Sequence, residues 1–171
     1  MWLSYLNLAV SLMLTIGIVM VASIKKIYIA KKGAKPISRA LVGVEANKGV
    51  VGDRYYHGAG TFSEKLAGHR KSEITFIASE EIDNFNAAQN EALDYGDARR
   101  NVVTQGVQLA ELIGKEFTIG SAKFLGIEHC EPCAHLASTV NKKVLPHLVH
   151  TGLRAAILES GQIEVGHAIV S

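Results

Sequence analysis

The sequence predicts a mainly β domain with helices at its edges, and three observations carry that prediction. From Lys25 to Ser171 the apolar runs are short and rich in β-branched residues, as strands require. Gly occurs 16 times and Pro only 3 times, which suits many strands joined by tight turns. Helical apolar periods are few. A sheet curled into a barrel with peripheral helices, an α+β arrangement, satisfies all three.

The elements follow in order. Residues Met1 to Ile24 carry no charged side chain, and every charge in the chain lies from Lys25 onward. About 20 apolar residues suffice to cross a bilayer as a helix. Residues 1–24 are therefore expected to form a single transmembrane anchor in the inner or plasma membrane, with Trp2 and Tyr5 at one interface. Lys25, Lys26, Lys31, Lys32 and Lys35 at the other would place residues 25–171 in the cytoplasm. No basic residue precedes the apolar run and no clear small-x-small pattern follows it, so a cleaved signal peptide fits less well. A start at Met20 would instead leave a soluble cytoplasmic protein.

Strands are expected at Ile24–Ala30, Ala40–Glu45, Glu73–Ala78, Asn101–Thr104, Glu116–Ile119, Ala122–Glu128, Ala155–Leu158 and Gln162–Val165. Gly120-Ser121 and Ser160-Gly161 read as hairpin turns between paired runs. Ser79 is expected to cap a helix through about Gln89, with Glu80 and Glu81 at its positive end and Ile82, Phe85 and Ala88 on one face. One helical turn at Gln108–Ile113 should end at Gly114, and a segment near Asn141–His150 must bend or begin at Pro146.

Composition narrows the function. Across 171 residues, 18 Lys plus Arg face 16 Asp plus Glu, and 48% of residues are hydrophobic. That excludes a disordered polyelectrolyte, and a net charge of +2 gives no footprint for nucleic acid. Cys130 and Cys133 are too close to staple distant parts of the chain, which excludes a secreted disulfide scaffold.

Chemistry concentrates in Glu128-His129-Cys130-Glu131-Pro132-Cys133-Ala134-His135, after an expected strand. The thiolate is the useful form of Cys, as nucleophile, sulfur carrier or soft-metal ligand. His129 and His135 flank the pair and are positioned in sequence to assist ionisation. A lone Cys is ordinarily a small buried hydrophobe, but a C-x-x-C flanked by His departs from that pattern. Structural zinc normally shows a second ligand pair, and none follows; a thioredoxin-like dithiol would open a helix in a βαβ unit, whereas this motif leaves a strand. A second cluster, Gly52-Asp53-Arg54-Tyr55, offers glycine turns and a guanidinium suited to an anion, or else a turn in which Asp53 pairs with Arg54 or caps the backbone. Ala98-Arg99-Arg100-Asn101 and Gly152-Leu153-Arg154-Ala155 add further guanidinium groups.

Taken together and in order, these motifs resemble the MOSC domain, named for the C-terminal domain of molybdenum cofactor sulfurase. The matching pieces are Ile27-Tyr28-Ile29-Ala30 with Gly33-Ala34-Lys35-Pro36, Gly52-Asp53-Arg54-Tyr55 and Arg99-Arg100-Asn101-Val102-Val103-Thr104. They continue through Leu112 to Gly120, Cys130-Glu131-Pro132-Cys133, Gly152-Leu153-Arg154-Ala155 and Gly161 to Gly166. The resemblance covers almost all of residues 24–170 and is nearest to small stand-alone bacterial members. It implies a β-barrel-like fold and a role in molybdenum cofactor binding, sulfur transfer or reduction of small molecules. Cys133 is implied as persulfide carrier or molybdenum ligand, with Cys130, His129 and His135 beside it. Arg54, Arg100, Asn101 and Arg154 would face the pterin phosphate or a small anionic substrate. A sulfur donor or an electron-transfer protein is the implied partner. The family is also associated with pyridoxal phosphate, which is not expected here because no Schiff-base lysine stands in a cofactor setting. Where the family closes on a Gly-Asp turn this chain has Gly166-His167. The alternative is a non-catalytic membrane-tethered module that holds an anionic ligand.

Overall fold

The computed structural model describes residues 21–171. Strand β1 (Ser23–Ile29) is followed by β2 (Ile37–Arg39), β3 (Leu41–Glu45), β4 (Gly49–Val50) and β5 (Ile74–Ala78). Helix α1 (Ser79–Gln89) then leads to β6 (Val102–Gln105), β7 (Glu116–Ile119) and β8 (Ala122–His129). Short helices α2 (Ala134–Thr139) and α3 (Val144–His147) precede β9 (Gly152–Glu159), β10 (Gly161–Glu164) and β11 (Ile169–Val170).

Eight strands form one sheet in the order β11-β7-β8-β9-β5-β6-β1-β2, and β10-β3-β4 form a second. The larger sheet curls, and its two flanks are tied where Ser23 bridges Ala168 and where Ile24 donates to the His167 carbonyl at 3.0 Å and accepts from the Gly166 N–H at 2.8 Å. The expected barrel is thus a curled half-barrel closed by a few bonds rather than by a full ladder. Strands β5 and β6 run parallel, joined by the α1 crossover, while the other pairings are antiparallel. On β7 alternate residues point into the curl, as the burial of Phe117 and Ile119 shows, whereas central β6 is buried on successive residues. Phe76 meets Phe117 and Phe124 edge-on, with ring centroids 5.7 and 6.0 Å away, and Ile27, Ile74, Leu153, Ile157 and Ile163 fill the space around them. A smaller apolar cluster, Phe85, Leu136, Ala137, Val144 and Leu148, seats α2 and α3 against α1.

Several expectations are corrected. The anchor predicted over residues 1–24 lies mostly outside the described residues, but its last two members do not belong to such a helix. Ser23 and Ile24 open β1, and Ile24 is buried in the core. Among the described residues no helix is long and apolar enough to cross a membrane. Ser160-Gly161 is no hairpin turn: β10 pairs with β3, so the chain leaves one sheet for the other at this corner. There a Cβ on Gly161 would lie 2.6 Å from the Ser121 backbone, which demands glycine. Ser79 is the first residue of α1, not its cap; Ala78 holds that place. At the Gly166-His167 turn, His167 Nδ1 accepts the Glu164 N–H at 3.2 Å.

Candidate functional site

Two turns and one strand exit converge at one end of the half-barrel. Asp53 fixes the first turn. Its carboxylate is buried and accepts from the Ala30 and Tyr55 backbone N–H groups at 3.0 and 3.1 Å and from Arg54 Nη1 at 3.3 Å. Asp53 therefore pairs with Arg54 and caps the backbone together, and Arg54 is left lining the site with its guanidinium 5.0 Å from the Tyr55 ring.

The second turn separates two adjacent arginines. Arg99 adopts a left-handed conformation at φ 55°, which is uncommon for a residue with a side chain and marks a constrained position. Its guanidinium donates to the Ala34 carbonyl at 3.2 Å. Burial, and then the neighbouring Arg54 cation, pull Arg99 below the ordinary guanidinium value, while Asp53, Tyr55 and Cys133 oppose them. Arg100 turns the other way. It donates to the carbonyls of Ala98, Cys130 and Glu131 at 3.2, 2.9 and 3.1 Å, so it clamps the cysteine loop. Its Nε is buried without a partner among the described residues.

The thiols come from the exit of β8. Cys130 is buried, its N–H donating to the Gly152 carbonyl at 2.8 Å. Gly152 is needed there because a Cβ would meet the Cys130 carbonyl at 2.5 Å. Cys133 is half-buried at the N-terminal end of α2, and both cysteines are free thiols. The motif thus both leaves a strand and opens a short helix, although β8 and β9 are antiparallel, so no βαβ unit surrounds it.

A recess of about 70 Å³ gathers Arg54, Arg99, Arg100, Asn101, Cys130, Cys133, His135 and Arg154. It shares Arg54, Thr61, Arg99 and His135 with a wider cleft of about 1060 Å³, which adds Lys32, Lys35, Tyr28, Asp94 and Asp97. Seven of the eight sequence-predicted site residues line the recess. His129 does not; its ring packs beside His150 instead, with centroids 4.9 Å apart. Asn101 lines the recess but its amide holds the strands, accepting from Thr75 N and Oγ1 and donating to the Tyr28 carbonyl. Arg154 donates to the Lys71 carbonyl at 3.0 Å and stands opposite Glu128 on β8.

Chemically, the recess offers a free thiol among guanidinium groups, a setting for an anion with a soft or sulfur-accepting centre. The family profile of the MOSC domain matches residues 63–170. The chain belongs to the MOSC domain family. The match contains β5 to β11, both cysteines, Arg99, Arg100 and Arg154, while Arg54 lies ahead of it. Among solved structures, this MOSC chain is similar to the YUAD protein from Bacillus subtilis, at 17% identity and a TM-score of 0.73, over 88% of this chain and 94% of that one. It is similar to YiiM from Geobacillus stearothermophilus, at 17% identity and 0.64, over 87% and 74% of the two chains. YiiM from Escherichia coli follows at 13% identity and 0.57, over 86% and 70%. These likenesses establish the fold. No curated protein matches the chain.

Arg99 and Tyr28 were not among the residues singled out from sequence as binding the ligand. Arg99 stood beside Arg100 in the same motif, and only the left-handed turn decides which of the two faces the cleft.

Proposed function

We propose that this MOSC protein binds molybdenum cofactor, or a small anion of like chemistry, in the cleft and presents Cys133 to it as sulfur carrier or molybdenum ligand. The observation that carries the reading is the half-buried Cys133 thiol in a recess lined by Arg54, Arg99, Arg100 and Arg154. The residues fit such a group. Arg100 has a buried Nε with no partner, and the rim arginines and Lys32 and Lys35 of the outer cleft suit phosphate and other oxyanions. When bound, molybdenum cofactor supplies a redox-active metal centre with affinity for sulfur. Arg54 and Arg99 hold the anionic end at the rim, and Asp53 keeps Arg54 in place. Cys133 supplies Sγ, and Arg100 fixes the loop that carries it. His135, exposed at the rim, is placed to exchange a proton with a ligand in the cleft.

The test is molybdenum and pterin analysis of protein from a host that makes the cofactor, wild type beside Cys133→Ser. Stoichiometric molybdenum in the wild type and none in the variant supports a cofactor-bound protein and directs the search to reductase substrates. Without molybdenum in either, a persulfide on Cys133 by mass spectrometry supports the sulfur-carrier form. Absence of both, with Arg54→Ala weakening anion binding and Cys133→Ser leaving it intact, overturns the thiol role in favour of a passive binding module.

A further inference from the structure

Beside the recess, the sheet brings His150 against His129 and Glu131, although 19 positions separate Glu131 from His150. His129 is the last residue of β8, Glu131 follows in the cysteine loop, and His150 precedes β9. The β8–β9 register, with His129 opposite Leu153, closes the excursion through α2 and α3 and draws its two ends side by side. One ligand atom from each residue lies within 4.8 Å of the others. Glu131 Oε1 stands 2.7 Å from His150 Nδ1, while Glu131 Oε2 accepts the His150 backbone N–H at 3.0 Å. Both contacts hold His150 in a left-handed turn, φ 62°, where a β-carbon-bearing residue is uncommon.

The geometry points to a second site: His129, Glu131 and His150 form a three-ligand centre for a borderline divalent cation such as Zn²⁺. Two imidazoles and one carboxylate are a zinc donor set, and three protein ligands leave a fourth tetrahedral position open to water or a small anion. Zinc–nitrogen and zinc–oxygen bonds of about 2.0–2.2 Å put tetrahedral ligand atoms roughly 3.3–3.6 Å apart, so the 2.7 Å Glu131–His150 pair must open slightly and the wider separations close. The side chains can supply that adjustment, because Glu131 and His150 are 42% and 70% exposed. The site lies on the outer side of the loop whose inner side Arg100 clamps, and neither cysteine belongs to it. It therefore stands or falls independently of the function proposed for Cys133.

The test uses the full chain, freed of metal and titrated with Zn²⁺ alone and with Co²⁺ alone as spectroscopic stand-in. One equivalent should bind, and bound Co²⁺ should show d–d bands without a thiolate-to-cobalt charge-transfer band. His129→Ala and His150→Asn should each weaken Zn²⁺ at least about tenfold, since loss of even an outer partner of a metal ligand costs about that much. Asn tolerates the left-handed turn, so His150→Asn removes the imidazole while keeping the backbone. Cys133→Ser should leave Zn²⁺ affinity unchanged. Failure to bind either metal, unchanged affinity in both histidine variants, or a thiolate band abolished by Cys133→Ser would overturn the assignment.

Discussion

Adjacent arginines with opposite tasks give the sharpest prediction. Arg100→Ala removes two half-buried bonds to the Ala98 and Cys130 carbonyls and a more exposed one to Glu131. Hydrogen bonds from an ionised donor contribute about 1.5–3 kcal/mol each, and the exposed contact contributes little, so the two inner bonds stabilise by about 3–6 kcal/mol. Against this stands the buried Nε without a partner, whose removal returns about 1–3 kcal/mol. With the middle of each range the net loss is about 2.5 kcal/mol, or about 5–10 °C in Tm for a chain of this size.

Arg99→Gly perturbs the neighbouring position with a different result. Glycine accepts the left-handed φ without strain, which offsets the lost bond to Ala34 and the greater entropy of the unfolded chain. Stability should stay within about 1 kcal/mol, while affinity for an oxyanion in the cleft falls about tenfold or more, as expected for loss of one charge-assisted contact. Thermal denaturation and phosphate or molybdate titration on both variants separate the two effects, and amide exchange at Cys130, Glu131 and Cys133 should rise only in Arg100→Ala. An Arg100→Ala protein of wild-type stability, or an Arg99→Gly protein with wild-type anion affinity, would refute the division of labour.

Further predictions follow from the same contacts. Asp53→Asn places an amide donor where two N–H groups and Arg54 already donate; breaking this buried pair should cost about 3 kcal/mol by chemical denaturation and weaken anion binding through Arg54. Gly152→Ala and Gly126→Ala both force a Cβ against backbone, the Cys130 and the Leu112 carbonyl respectively, and each should destabilise by about 1–3 kcal/mol. Only Gly152→Ala should speed alkylation of Cys130 in the native protein, because only there does the obstructing atom belong to the cysteine loop. Glu80 is pushed up by burial, but its bonds from the Gly106 and Glu80 N–H groups and Ser79 bring it to rest below the ordinary glutamate value. A depressed carboxyl contributes stability above its unfolded value that is lost as pH falls through the folded one. Glu80→Gln should therefore lower Tm near neutral pH, and the difference from wild type should vanish in acid.

Where the fold was legible in sequence, local chemistry alone determined it. Strand β7 falls on its expected residues Glu116–Ile119, with Gly120 at positive φ in the turn to β8, because apolar alternation and turn glycine are both local signals. Helix α1 likewise spans Ser79–Gln89. Strands β2, β4 and β11 are two or three residues long and exist through their partners, so no run of their own announces them. The Ser160-Gly161 corner fails as a hairpin for the same reason. Its downstream strand alternates as expected, but β3 rather than β9 is the available edge.

The site divides along the same line. The residues proposed to carry the chemistry, Cys133, Arg54 and Arg154, are visible as motifs, and the fold brings them into one recess. Side-chain direction was not visible, because it depends on single backbone angles. The left-handed turn at Arg99 sends one guanidinium to the cleft, while the next, Arg100, folds back upon the loop. The same holds for His129, which flanks the thiols in sequence but faces His150 across the β8–β9 junction. Glu131 joins the two halves. Its carbonyl accepts from Arg100 on the recess side, and its carboxylate holds His150 on the other. A loop fixed from both faces keeps Cys133 in register with the arginines without requiring the loop itself to be rich in contacts. A stretch containing two free thiols and a proline is thus fixed by Arg100 and His150, which lie just ahead of β6 and β9.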